Sequence, residues 1–372
     1  MQQVSLFVHG ETDYTLLKGS TGPLVYPAFH LYLYSALYYV TDHGTNILRA
    51  QCIFALLYLT TLAFVLACYR RVGAPPWLLI PLVFSKRMHS IFLLRLFNDA
   101  WATLALWISV WGLQRQIWVL GAIAWDLGLG IKMTMLLAAP ALGVILVQGA
   151  GSAEAFFLGG FTVITQAAAS LPFVYKETGF TYFIQAFDFG RQFLFRWTVN
   201  WRFVGEEVFL SRSFSTGLLV VHVSLLLYFL QARWMRPSSS SSILEFVKKF
   251  ATDMDYATEV KITSRVTPVF VMDTMLASVV IGLLCARSLH YQFYAYLGWA
   301  SPYLLWRAGG GPDWVAAIWA VQEFCWLTYP STNVSSALVV LALALQVASI
   351  LIAPQVESPP TSADTDVKRR SE

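Results

Sequence analysis

Apolar positions in this chain come in long runs rather than in the alternation of a half-buried strand. Runs of low charge lie near 47–69, 76–94, 99–114, 117–131, 133–149, 155–171, 214–231, 268–286, 297–306, 313–329 and 335–353. A membrane span needs about 20 mostly apolar residues, and in lipid only a helix or a closed barrel satisfies its backbone. The pattern therefore predicts an all-α polytopic membrane protein with about 11 membrane segments. Some runs are short for a full crossing, and 117–131 with 133–149 also fits one re-entrant hairpin. The stretch LVYPAFHLYLYSALYYVT, 24–41, holds Tyr26, Tyr32, Tyr34, Tyr38 and Tyr39 with a proline and a histidine. That suits a helix lying at the interface better than one in the hydrocarbon.

The polar intervals divide the chain. Residues 1–46 read as a loop and interfacial helix, 47–171 and 214–353 as two parts of a bundle, and 172–213 as a large loop. Within the second part, 232–267 reads as a linker, flexible from the serines after Pro237 onward with one amphipathic stretch. The Pro- and Ser-rich tail 354–372 is expected to be disordered.

Composition agrees. The 372 residues are 57% hydrophobic and 12% charged, where a soluble domain carries about 25% charge, and mean hydropathy is +0.59. Arg70, Arg71, Arg115, Arg233, Arg236, Lys248, Lys249, Arg307, Lys368, Arg369 and Arg370 fall on one side if the runs alternate. Basic loops face the cytosol, so 1–46, 172–213 and 287–296 are expected on the opposite side and the C-terminus in the cytosol. Lys86, Arg87, Arg95, Arg191, Arg196, Arg202 and Arg212 break that rule. Misplaced cations suggest a bound anion. Cys52, Cys68, Cys285 and Cys325 sit in apolar runs without ligand spacing, so no metal site is read. There is no nucleotide loop, zinc-protease or nucleophile-elbow motif and nothing that suggests nucleic acid, and residues 1–20 lack the apolar run expected of a cleavable signal peptide. A divalent cation is left open.

Four stretches carry polar groups at membrane depth or in the non-cytosolic loops. In SKRMHSIFLLRLFNDAWA (85–102), Arg95, Asn98 and Asp99 interrupt an apolar run; they face a protein interior, or form a snorkelling cluster closed by an Asn–Asp cap. In GLGIKMTMLLAAP, Lys132 stands alone, suited to a lipid phosphate or to snorkelling. In FDFGRQFLFRWTVNWRF (187–203), Arg191, Gln192, Trp197, Asn200, Trp201 and Arg202 combine planar donors for phosphate or sugar hydroxyls with stacking faces. The alternative is an aromatic belt helix. In ARSLHYQFYAYLGWASPYLLW (286–306), Arg287, His290, Tyr291 and Gln292 emerge where a lipid phosphate would lie, or form an interfacial girdle.

TGPLVYPA, FLLRLFNDA, FDFGRQFLFRWTVNWRF, SRSFSTGLL, ARSLHYQFYAY, PYLLW and TYPSTNVSSA occur in this order from residue 21 to residue 337. Together they resemble the dolichyl-phosphate-mannose-dependent α-1,3-mannosyltransferases of the endoplasmic reticulum, GT-C glycosyltransferases of asparagine-linked glycosylation. The resemblance implies a multi-pass protein of that membrane with a luminal active site. It implies two substrates, dolichyl-phosphate mannose and Man5GlcNAc2-PP-dolichol, with inversion at the anomeric carbon. It places Arg191 and the Trp197–Arg202 block over the catalytic cavity, and Arg287 and His290 near the donor phosphate. It also implies that the first span and the catalytic base, in an E-I-D-W-x-A-Y-M-type motif, lie before Met1, whose Met1-Gln2-Gln3-Val4 resembles the tail of that motif. Asp13 is then the nearest local carboxylate candidate. A scramblase or transporter for polyprenyl-linked substrates is the alternative from another class.

Overall fold

A computed structural model describes residues 1–354 apart from Thr21, 176–178, Phe189, 191–193 and Asp253. The expectations for Arg191, Gln192 and the tail beyond 354 thus lie outside the described residues. The chain opens with a short helix, α1 (Gln2–Val8), and a two-stranded antiparallel turn pairing Lys18–Gly19 with Gly22–Pro23. The tyrosine-rich stretch follows as α2 (Ala28–Val40), started by Pro27. Its 13 residues reach about 20 Å, short of the roughly 30 Å hydrocarbon.

The bundle begins at α3 (Ile47–Arg71), capped by the Asn46 side chain. A bent pair comes next: Pro76–Leu78 leads into α4 (Leu79–Phe84), and α5 (Lys86–His89) continues into a wide π turn, Ser90–Leu94, at 45° to the first piece. Ser85 makes the break, its hydroxyl capping Met88. Then follow α6 (Asp99–Gln114), α7 (Trp118–Ile131), a tight turn Met133–Ala138, α8 (Ala139–Gly149) and α9 (Ser152–Val174). Short α10 (Gly179–Ala186) and α11 (Glu206–Leu210) lie in the large loop. The second half holds α12 (Arg212–Phe229, winding on to Trp234), α13 (Ile243–Ala251), α14 (Tyr256–Arg265) and α15 (Pro268–Cys285). It closes with α16 (Ser301–Arg307), α17 (Pro312–Leu327) and α18 (Asn333–Ile352).

Among the described residues five helices are long and apolar enough to cross a membrane, six if the bent pair counts as one span. The protein is thus an all-helical membrane protein. The interval 237–267, expected as a flexible linker with one amphipathic stretch, instead holds two docked helices. Ser152 Oγ, Thr263 Oγ1, Lys249 Nζ and Arg265 supply tertiary hydrogen bonds that the local sequence does not announce.

Two apolar cores form. The main one centres on α15, buried almost throughout and packed against α6, α8, α12 and α18. α6 and α7 approach closely because Gly112 and Gly121 face each other: a Cβ on Gly112 would come within 3.1 Å of the Gly121 nitrogen. The smaller core joins Val4, Tyr14, Leu17, Leu24 and Leu31 to Phe173, Tyr182 and Ala186. Gly130 lets this N-terminal unit lie against α7, since a Cβ there would sit 1.9 Å from the Phe29 ring.

Candidate functional site

The N-terminal unit, the break at 85–98, Lys132 and the 286–296 loop meet at one end of the bundle. The 286–296 loop turns there because α15 ends at Cys285 and Tyr291–Tyr296 coils tightly. Lys132, apparently isolated in sequence, has a partner: its Nζ lies 2.5 Å from Asp99 Oδ2, both side chains buried. The ammonium also faces the Phe293 ring at 5.2 Å and the Tyr26 ring at 5.8 Å. Lys132 therefore does not snorkel. The Asn–Asp cap does not form either, because Asn98 makes no side-chain capping bond. Its amide instead reaches His30 Nδ1 at 3.4 Å.

His30 is sandwiched between the Tyr26 and Tyr34 rings, and Tyr34 donates to the Leu96 carbonyl. Burial, reinforced by the Lys132 charge, pushes the His30 imidazole down to about 3. It is a neutral packing histidine. Leu96 has φ +52°, a left-handed conformation that costs a non-glycine residue about 1–2 kcal/mol, held here by the bond from Tyr34.

Arg87 lies on the other side of the break. Its guanidinium stacks on the Tyr291 ring at 4.7 Å, and Nε donates to the Tyr291 carbonyl at 3.4 Å. It is half-buried and takes part in none of the three ion pairs among the described residues. Burial raises the Tyr291 hydroxyl, while Arg87 opposes that rise. The α5 start is fixed from α17: Glu323 accepts a short bond from Ser85 Oγ and a 3.3 Å bond from the Arg87 backbone N–H. His290 and Gln292 are half-buried on the same loop, and Arg95 is exposed beyond the π turn.

The described part of the large loop forms an adjoining layer, built as a lattice of loop-to-loop bonds. Asn200 is its hub: Nδ2 donates to the Ala286 carbonyl at 2.7 Å, and Oδ1 accepts from the Leu289 N–H at 2.7 Å and from Thr198 Oγ1. Trp201, at φ +53°, donates Nε1 to the same Ala286 carbonyl. Arg202 bonds Ser336 through its backbone and Ser331 through Nε, and its guanidinium covers Phe195. Arg287 donates to the Phe209 and Leu210 carbonyls. Trp197 is partly exposed and stacks on Tyr329. Phe195, Arg202, Glu206, Ser331 and Asn333 line a cavity of ≈ 560 Å³ on this layer.

Asp13 sits apart, in the N-terminal unit. Its Oδ1 accepts from the Thr15 N–H and hydroxyl at 2.8 Å each, the geometry of an Asx turn. Sequence reasoning missed Glu323, since nothing in WAVQEFCW announces a partner more than 230 residues away. It also missed Tyr26 and Phe293 as walls around Lys132. Among the described residues no His/Cys/Asp/Glu group could hold a metal ion.

The family model described as ALG3 protein matches residues 1–336. A protein of Neurospora crassa is 46% identical over 375 residues, covering 100% of this chain and 85% of its own length. Proteins of Mus musculus and Homo sapiens are 40% and 39% identical over 366 residues, covering 95% of this chain and 80% of theirs. All three relatives are named Dol-P-Man:Man(5)GlcNAc(2)-PP-Dol alpha-1,3-mannosyltransferase. No solved structure matches.

Proposed function

The chain belongs to the ALG3 protein family, and on that premise we propose that it is a mannosyltransferase acting at a membrane. It moves mannose from dolichyl-phosphate mannose onto Man5GlcNAc2-PP-dolichol in α-1,3 linkage. The carrying observation is identity of 46% across the whole chain with a relative so named. The relatives' names leave the scramblase or transporter alternative without support.

We further propose a GT-C architecture with about 11 membrane segments. It resides in the endoplasmic reticulum, with 1–46, 172–213 and 287–296 on the luminal side and the C-terminus in the cytosol. In the reaction the bond from C1 to the phosphate oxygen breaks and its electron pair leaves on dolichyl phosphate. The acceptor hydroxyl oxygen bonds C1 from the opposite face and yields its proton to a base. Asp13 is occupied by its own turn and Asp99 by Lys132, so neither is assigned that proton.

Stabilising the departing phosphate is work for cations. Arg87 suits it best, half-buried, stacked on Tyr291 and in no ion pair among the described residues. His290, Tyr291 and Gln292 flank it. Glu323 positions Arg87 through its backbone, Asn200, Trp201 and Arg287 position the 286–291 loop, and Arg202 ties the large loop to Ser331 and Ser336. Arg191 and Trp197 keep the place over the catalytic cavity implied by the resemblance, and Gln192 stays a candidate donor to phosphate or sugar hydroxyls.

Microsomes from cells lacking this activity, re-supplied with the gene and given labelled dolichyl-phosphate mannose, test the proposal. A labelled six-mannose lipid-linked product supports it. Persistent five-mannose lipid despite correct membrane expression would remove it.

A further inference from the structure

The segment between α12 and α15 has no part in the reaction proposed above. In α13 the apolar residues Ile243, Leu244, Phe246, Val247, Phe250 and Ala251 form a continuous arc, and Glu245, Lys248 and Lys249 fill the opposite face. One edge of the arc is covered: Phe246 is buried and packs on Phe250, ring centroids 4.9 Å apart. The other edge is bare, with Leu244 64% and Val247 55% exposed.

Two hydrogen bonds fix where α13 lies. Ser152 Oγ, on the first residue of α9, donates to the Phe250 carbonyl at 2.7 Å. Gln231, in the last turn after α12, donates to the Ser241 carbonyl at 2.7 Å. α13 is therefore tied to the ends of two spans. Those two have the least protein cover among the candidate spans, only 17% and 11% of their apolar windows being buried. In a membrane that bare surface would meet lipid, and α13, tied to both, lies at the level where the two helices end. Lys248 lies beside Leu244 on the helical wheel and is exposed. Lys249 is held inward on the Ser238 carbonyl at 2.6 Å.

We infer that α13 is an interfacial membrane anchor. Leu244 and Val247 enter the boundary between headgroups and acyl chains, and Lys248 meets anionic headgroup phosphates. The helix strings the ends of α9 and α12 together across the leaflet surface. This reading does not depend on the proposed reaction.

The test uses the full chain with Cys52→Ser, in nanodiscs of phosphatidylcholine with or without phosphatidylserine. A bimane label is placed at Leu244→Cys or Val247→Cys. Leu219→Cys, exposed within α12, serves as the lipid control, and Thr252→Cys, at the polar end of α13, as the water control. The anchor predicts blue-shifted emission at 244 and 247, quenching by nitroxide phospholipids as at 219, and protection from iodide. Phosphatidylserine deepens the lipid quenching at 244, and Lys248→Gln removes that deepening. Iodide quenching at 244 and 247 equal to that at 252 would overturn the anchor. Blue-shifted labels that lipid nitroxides do not quench would also overturn it, pointing to a second copy of the chain. Lipid quenching indifferent to phosphatidylserine would overturn the role of Lys248.

Discussion

Replacing Asp99 by Asn tests whether the N-terminal unit and the proposed site are held around one buried ion pair. Asp99 opens α6, Lys132 ends α7, and their charged atoms lie 2.5 Å apart with side chains 0% and 7% exposed. At an effective dielectric of 20 that separation is worth about 7 kcal/mol of gross attraction. Desolvating the two ions costs several kcal/mol each, so the pair as a whole contributes little net stability. Removing one partner is different, because it strands the other charge among Tyr26 and Phe293. Asp99→Asn or Lys132→Met should each destabilise by about 3–5 kcal/mol. The double variant should lose far less than the sum, because neither residue then buries a charge. Melting curves of purified variants in detergent, read by fluorescence-detected gel filtration, report the order. The double variant should melt above both singles. A double variant melting as far down as the two losses added together would refute a shared ion pair.

Arg87→Ala should reduce kcat/KM for dolichyl-phosphate mannose about 10- to 100-fold, the worth of a charge-assisted contact, with melting nearly unchanged; kinetics in microsomes check it. His30 titrates at about 3 when folded and near 6.5 when unfolded, so the unfolded chain binds the extra proton between those values. Its stabilisation is complete above pH 6.5 and declines as pH falls, by up to about 1.4 kcal/mol per unit. Melting temperatures across pH 7.5 to 5 should show that slope, flattened in His30→Phe. Gly130→Ala drives a methyl into the Phe29 ring, an overpacking loss of about 1–3 kcal/mol. The same change made in a Phe29→Ala background should cost almost nothing, which a four-variant melting series reads directly.

The helical character of the apolar runs was legible in their lack of alternation. Among the described residues, however, only five helices, six with the bent pair, are long and apolar enough to cross a membrane, and 297–306 yields only the seven-residue α16. The break inside 76–94 was not legible, since it depends on Ser85 bonding Glu323 from a distant helix. The docking of α13 and α14 was hidden similarly: the serine run reads as flexible until Gln231, Ser152 and Lys249 are seen to hold it. At the proposed site, the misplaced cations drew attention to the segments that the fold brings together but did not show their separate contacts. Lys132 looked free because charge pairing across helices leaves no local trace. Arg202 and Arg287 looked like ligand donors, yet their Nε and η groups bond Ser331 and the Phe209 and Leu210 carbonyls. Arg87 stacks on Tyr291 beside the break without entering an ion pair among the described residues, a placement that neither periodicity nor spacing could single out.

The central claim is a sugar transfer, and its most direct measurement is the product. The purified chain in nanodiscs should be given dolichyl-phosphate mannose and Man5GlcNAc2-PP-dolichol, and the glycan released and weighed. The account predicts a gain of one hexose, removable by an α-1,3-specific mannosidase and resistant to a β-mannosidase. An added mannose in another linkage, or release of free mannose with the acceptor unchanged, would contradict it.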